Sequence, residues 1–379
     1  MMKNLFKILK RFFYLKPKLL LYLGLKKFDM DTKHAFPLYS PGKKGKECTA
    51  YQYIVADLRK NKSYFAVYEC KDEVLKSLTE KSYNTQDFSS FAEMVKAFVN
   101  ETGTSGINKI SVAVPGPVIF GKCETPNLPW TMDSEKLKNE LGMQKVYLIN
   151  DLEATSYSFM DLNDSQLEIL HTSENKMRGN VAVLAPGNGL GEAGMFWNGE
   201  SLHPFATEGG HTEFSPRNDF EVEFYQFLNK IYGIVSWENV LSKDGLYNIY
   251  RFLRDVGRHQ EDPKLKERIQ NEDFLNIISE IGKEKNSRLI NLTIEMYAEF
   301  LAREANNLVL KLKAIGALII TGEIPSKIFD LIGKEKFYKD FKISDRMEHL
   351  LKDIPIYIIR NEKGIIEGAA QYGAFIEND

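Results

Sequence analysis

The stretch Leu148-Ile149-Asn150-Asp151-Leu152-Glu153-Ala154 (LINDLEA) decides the fold class. Val146–Ile149 reads as a short apolar strand. It stops at two polar residues and passes without a loop into a helix-compatible segment from Leu152. A strand feeding a helix is the unit of an α/β protein, and ligands of open α/β sheets collect outside the carboxyl ends of the strands. An aspartate at such an end can act as a general base toward a hydroxyl. The same Asn-Asp pair can equally cap the helix that follows it.

Working outward, the same alternation continues on both sides. Tyr53–Asp57 and Ser63–Cys70 read as strands, residues 87–101 as a helix, and Lys109–Val114 as a buried strand stopped by Pro115-Gly116-Pro117. Asn180–Leu184 is a strand ending in a glycine turn. Much of 219–315 is helical, most clearly Asn291–Lys313, where apolar residues recur at helical spacing. Ala317–Ile320 and Ile354–Ile359 are strands, and Gly364–Phe375 is a closing helix with small residues on one face. No internal repeat is visible. Residues 35–50, rich in Pro, Gly and Lys, read as a linker.

Bulk properties narrow the function classes. A chain of 379 residues is long enough for two lobes, and 43% hydrophobic with 27% charged residues marks a globular chain rather than a disordered one. The formal net charge of −2 argues against a nucleic-acid partner. That balance is uneven. Residues 1–28 carry eight Lys and Arg and no acid, so the rest carries −10. This basic arm reads either as a helix on an anionic membrane surface or, more simply, as an extension ahead of a start at Met30. Its longest apolar run, Leu19–Leu25, is far below the ~20 residues that span a bilayer. Cys48, Cys70 and Cys123 are far apart and form no CxxC, which points to a reducing cytoplasm.

Three further segments carry candidate chemistry. In Glu208-Gly209-Gly210-His211-Thr212-Glu213-Phe214, paired glycines admit close backbone approach, and Glu208 and His211 offer an acceptor and a switchable donor. That mixture suits a polyhydroxy ligand; a tight surface turn is the plainer reading. Glu238 opens Glu238-Asn239-Val240-Leu241-Ser242 on a probable helix and alone would be a solvated carboxylate. Gly187-Asn188-Gly189-Leu190-Gly191 follows a strand and can present backbone N–H groups to phosphate.

Taken together, LINDLEA, PGNGLG (186–191), EGGHTEF (208–214), ENVLS (238–242) and GALIITG (316–322) resemble the bacterial glucokinase family of the hexokinase superfamily over roughly residues 50–376. The resemblance implies a two-lobed actin-like (ribonuclease H-like) α/β sugar-kinase fold. Its lobes would be residues 46–155 with 362–379 and residues 156–361, behind an extension and linker at 1–45. Asp151 would be the base for the 6-hydroxyl of glucose or a related hexose. Asn127, Asn150, Glu208, His211 and Glu238 would line the sugar site. Asp57, Gly187, Asn188, Gly189, Gly191 and Gly322 would face ATP, with Mg2+ carried by the nucleotide near Asp57 and no resident metal. A homodimer is the family's implied assembly. The Cys cluster of zinc-carrying relatives is absent.

The chain departs from this family's pattern at three places. The first phosphate loop, Asp-x-Gly-Gly-Thr in the family, reads Asp57-Leu58-Arg59-Lys60-Asn61; Asn188 replaces a threonine; Glu323 follows Gly322 where a second glycine is usual. The primary expectation is an ATP-dependent glucokinase in the cytoplasm. The alternative is a hexose-sensing pseudokinase, resting on Arg59, Lys60 and Glu323.

Overall fold

A computed structural model describes residues 35–43, 50–162, 167–173, 175, 177–257 and 259–376. The basic arm 1–28, the proposed start at Met30 and Cys48 lie outside these residues. Among them, no helix is long and apolar enough to cross a membrane.

Strands β1 (Tyr51–Asp57), β2 (Lys62–Lys71) and β3 (Val74–Asn84) form an antiparallel meander. Helix α1 (Phe91–Thr102) follows, started by the Ser90 hydroxyl and stopped by Gly103 at φ 65°. Then come β4 (Lys109–Val114), a small ribbon of β5 (Lys122–Cys123) and β6 (Met132–Asp133), α2 (Ser134–Leu141), β7 (Lys145–Asn150) and α3 (Asp151–Tyr157). β4 and β7 extend the meander in parallel, giving the order β3-β2-β1-β4-β7.

The second sheet repeats that order. β9 (Val181–Pro186), β10 (Leu190–Trp197) and β11 (Leu202–Thr207) make the meander. β12 (Ala317–Ile320) and β13 (Ile356–Ile358) add in parallel, and β8 (Glu168–His171) closes the far edge, antiparallel. The two sheets are thus topological copies, although the sequence carries no visible repeat. Order and direction depend on polar–apolar patterning, which many unrelated sequences satisfy.

Between β11 and β12 stand α4 (Asp219–Tyr232), α5 (Glu238–Leu241), α6 (Lys243–Asp255), α7 (Pro263–Asn271), α8 (Phe274–Glu284) and α9 (Arg288–Leu312). α10 (Glu323–Ile328), α11 (Lys334–Phe341) and α12 (Glu348–Leu351) precede β13, and α13 (Gly364–Phe375) ends the fold. The expected α/β class is present, and the closing helix has the bounds read from the sequence. β3 escaped the reading because its residues alternate between exposed and half-buried, with Lys and Glu along an edge strand.

Three apolar clusters organise the layers. One packs α1 and α2 on the first sheet; another packs α4–α12 around the second. The middle cluster joins Tyr53 and Val55 of the first sheet, Val183 and Ile319 of the second, and residues of α3 and α13. These two helices therefore lie between the sheets. Their backbones almost touch: a Cβ built on Gly368 of α13 would fall 1.6 Å from the Ala154 carbonyl oxygen of α3.

The expected linker is a strap over its described part. Phe36 and Leu38 are buried in the middle core. The Tyr39 N–H donates to the Leu202 carbonyl at 2.9 Å and the Gly42 N–H to the Phe375 carbonyl at 2.8 Å. Pro and Gly mark this segment as irregular, and irregular backbone can still be fully bonded.

The α3–α13 contact leaves no room for a methyl group. Gly368→Ala should destabilise the protein by about 1–3 kcal/mol, seen as a lower melting temperature, because backbone rather than a flexible side chain must give way.

Candidate active site

Asp57 ends β1, beside β4 and within reach of α3. Its carboxylate is 2% exposed. Arg59 folds back on it, Nε and Nη2 donating to Oδ2 at 2.9 and 2.6 Å, while its guanidinium carbon lies 4.9 Å from the centre of the Tyr64 ring. Oδ1 of Asp57 is buried with no hydrogen-bond partner. Burial raises the Asp57 carboxyl above its ordinary value, against the pull of Arg59.

The turn after Asp57 is held by hydrogen bonds from Thr85 and Gln86. None of Arg59, Lys60 and Asn61 has a positive φ. Thr85 Oγ1 donates to the Arg59 carbonyl at 2.6 Å, Gln86 Nε2 to the Lys60 carbonyl at 2.8 Å, and the Thr85 N–H to the Asn61 carbonyl at 2.8 Å. In a planar trans peptide the next N–H points opposite to the carbonyl. The N–H groups of Lys60 and Asn61 therefore face away from Thr85 and Gln86. The Arg59 side chain lies along Asp57, and Lys60 is exposed.

Asp151 is the first residue of α3, and Asn150 is its N-cap. Asn150 Oδ1 accepts from the N–H groups of Leu152 and Glu153 at 2.8 and 3.1 Å, and its Nδ2 donates to the Gly116 carbonyl at 3.1 Å. The capping reading is thus realised, and one Nδ2 hydrogen remains for a ligand. The Leu152 N–H also donates to Asp151 Oδ1 at 2.9 Å. Burial first, and the Asp57 charge second, push the Asp151 carboxyl up to about 7; Glu208 adds to the rise, while the Leu152 N–H and Arg59 oppose it.

Glu208 precedes a short 3-10 turn, Gly209–His211, which His211 ends, and the side chains of Glu208 and His211 are about half exposed. Glu208 Oε2 and His211 Nε2 lie 4.0 Å apart. Asn127 is exposed in the turn after Thr125, whose hydroxyl accepts its N–H at 3.2 Å. The charges of Asp151 and Glu208 both reach the Cys123 thiol, which burial pushes up to about 11.

The glycine loop ties these pieces together. The Gly187 N–H donates to the Gly189 carbonyl at 2.8 Å, and Asn188 is exposed at its tip. Glu238 Oε2 accepts the Leu190 N–H at 2.9 Å. A Cβ on Gly189 would lie 2.5 Å from that same oxygen, one on Gly210 would lie 2.1 Å from the Leu190 carbonyl oxygen, and one on Gly191 would meet Leu152 at 2.3 Å. Gly322, at φ 98°, sits 2.6 Å, measured the same way, from the Pro186 carbonyl oxygen. Glu323 is not a bare charge: Lys243 Nζ approaches it to 2.8 Å and Lys327 Nζ to 3.2 Å.

Two contributors went unread in the sequence. Lys243 holds Glu323, and its N–H donates to the Gly187 carbonyl at 2.9 Å. Glu192, 1% exposed, lies under Gly209, where a Cβ would meet its carboxylate oxygen at 2.0 Å. Burial, and then the charge of Glu304, push its carboxyl up; Asn307 and Lys311 bond Glu304 from the far side. No motif marks either residue, since each acts through a distant segment.

Two lobes of repeated topology, a carboxylate at a strand end and a glycine loop beside a Glu-Gly-Gly-His turn are the features of a sugar kinase. The family model described as glucokinase matches residues 54–375. The glucokinase of Nostoc punctiforme is 32% identical over 84% of this chain and 97% of its own length. That of Campylobacter jejuni subsp. doylei is 29% identical over 82% and 90%. Among solved structures, glucokinase from an Antarctic psychrotroph shares the fold with a TM-score of 0.69 at 22% identity, covering 85% of this chain and 98% of that one. Glucokinase from Balamuthia mandrillaris, in complex with glucose, gives 0.71 at 18%, covering 86% and 94%. The chain belongs to the glucokinase family.

Two outcomes follow from these carboxyls. If Asp151 must be ionised to work, kcat/KM should fall about tenfold per pH unit below about 7, as a pH–rate profile would show. A carboxyl raised in the folded state gives stability that is complete below its unfolded pKa and lost as pH rises through the folded value. Glu192→Gln should therefore melt at a higher temperature than the parent protein on the alkaline side, by calorimetry.

Proposed function

We propose that this chain is an ATP-dependent hexose kinase that phosphorylates glucose at its 6-hydroxyl. One observation carries the reading. Asp151, poised near neutrality, is locked through Leu152 to Gly191 of the glycine loop, and that loop is locked through Leu190 to Gly210 and Glu238. A proton acceptor, a polyhydroxy-binding turn and a phosphate-suited loop thus occupy one rigid junction.

In the reaction, the Asp151 carboxylate accepts the hydroxyl proton while the sugar oxygen attacks the terminal phosphorus of ATP. Glu208, His211, Asn127 and the spare N–H of Asn150 would hold the other hydroxyls. Glu238 would offer them its second carboxylate oxygen, since its first is committed to Leu190. Gly187, Asn188, Gly189, Gly191 and Gly322 would border the nucleotide. Mg2+ would arrive with ATP and neutralise phosphate charge. Asp57 suits it, having one buried oxygen with no protein partner. The lobes, taken as 46–155 with 362–379 and 156–361, would close to exclude water. A cytoplasmic setting agrees with ATP as donor.

The sensor alternative drew on Arg59, Lys60 and Glu323. The turn at 59–61 carries no positive φ, and Glu323 is neutralised by two lysines, so neither feature argues against nucleotide binding.

A coupled assay with glucose and Mg-ATP tests the proposal, and absence of turnover would sink it. Asp151→Asn should lower kcat by about 10²–10⁴-fold, the usual range for a lost general base, while glucose affinity stays close to that of the parent protein.

A further inference from the structure

We infer that Arg59 is a catalytic residue of this chain, its guanidinium binding the phosphoryl group during transfer. The inference rests on the kinase reading above. It concerns a side chain that stands where the family has glycine.

Four observations support it. Arg59 and Asp151 act on each other electrostatically, so the guanidinium lies within range of the proton acceptor. Its orientation is already set, with the Nε–Nη2 edge on Asp57 and the plane against Tyr64. Its backbone is anchored too, N–H to Ser63 Oγ at 3.2 Å and carbonyl to Thr85 Oγ1 at 2.6 Å. Finally, the side chain is 39% exposed, and among the described residues its Nη1 has no hydrogen-bond partner.

A guanidinium can satisfy a carboxylate with one edge and a phosphoryl oxygen with the other; an ammonium has no second edge. Asp57 fixes the first edge and leaves Nη1 as donor. In transfer, the sugar oxygen bonds to the terminal phosphorus and its proton passes to Asp151. The bond from phosphorus to the bridging oxygen breaks, and that electron pair stays on ADP. The phosphoryl oxygens would carry their charge beside Asp57 and Asp151, whose carboxylates already act on each other. Arg59 is the cation whose charge registers on Asp151. A donor fixed before the reaction costs no reorganisation during it.

The test compares Arg59→Gln, Arg59→Lys and Arg59→Ala with the parent protein, using glucose and Mg-ATP. Arg59→Gln should lose about 100-fold in kcat, the scale of one removed transition-state donor, with glucose affinity from tryptophan fluorescence within about twofold. Arg59→Lys, which keeps a cation beside buried Asp57, should fold like the parent and still lose kcat. Added guanidinium ion should restore part of the rate of Arg59→Ala, saturably, and leave the parent rate unchanged. If the parent turns over and Arg59→Lys and Arg59→Gln match it, Arg59 has no such role. Equal losses of rate, glucose affinity and melting temperature, without guanidinium rescue, would make it structural and overturn the inference. No turnover by the parent would remove the kinase reading itself.

Discussion

The peptide of Leu190 is the contact on which the site depends. Its N–H is taken by Glu238, its carbonyl lies under Gly210, and the glycines on either side are pressed by Glu238 and Leu152. Four segments far apart in sequence meet there, Gly210 by its backbone and Glu238 and Leu152 by their side chains. A side chain at 189, 191 or 210 would push directly on one of them, and such overpacking costs about 1–3 kcal/mol where nothing can yield. The glycines hold the sugar turn, the phosphate loop and the base-bearing helix at a common spacing. That spacing matters because phosphoryl transfer gains its rate largely from position.

Electrostatics sets a second constraint. Burial raises the Asp57 and Asp151 carboxyls, Glu208 stands about half exposed beside them, and the Arg59 guanidinium acts on the first two. Ionised carboxylates this close repel, so the less compensated of Asp57 and Asp151 is driven toward protonation. Arg59 spends its edge on Asp57, leaving Asp151 with the Leu152 N–H and a more distant cation. This division places the Asp151 carboxyl near neutrality, where a base is strong enough to take a hydroxyl proton and weak enough to be free of one.

Much of this was legible in residue types. LINDLEA identified a strand end and a helix start, and the structure puts both there, with Asp151 as the first helical residue. Asn150 shows why one side chain could support two readings: its oxygen caps α3, and its amide keeps a donor to spare. Tertiary pairings were not legible. Glu192 under Gly209 and Lys243 on Glu323 join segments with no common spacing. The strap at 35–43 looked irregular, which it is, and its bonds to Leu202 and Phe375 depend on elements over a hundred residues away. The backbone of the turn after Asp57 was not legible for a related reason. Glycine permits a positive φ but does not require one, and here Thr85 and Gln86 hold the turn in ordinary backbone.

The departures from the family pattern share a physical logic. Arg59 adds a positive charge and meets Asp57; Glu323 adds a negative charge and meets Lys243 and Lys327. Each replaces a glycine that would have presented only backbone, and each is met by an opposite charge. Asp57 belongs to the family pattern, so Arg59 adds a whole positive charge beside it. The groups offered to a phosphate do change. A peptide N–H carries a fraction of a charge in a fixed direction, whereas a guanidinium carries a whole one on a side chain that must be held in place. Asp57 and Tyr64 supply that hold for Arg59. Lys243 is held twice, by its own N–H on Gly187 and by Glu323 at its far end, so it fastens the glycine loop to the start of α10. On this side of the site, backbone close approach has given way to side chains braced by ion pairs, while the sugar side keeps its glycines where they touch Leu190.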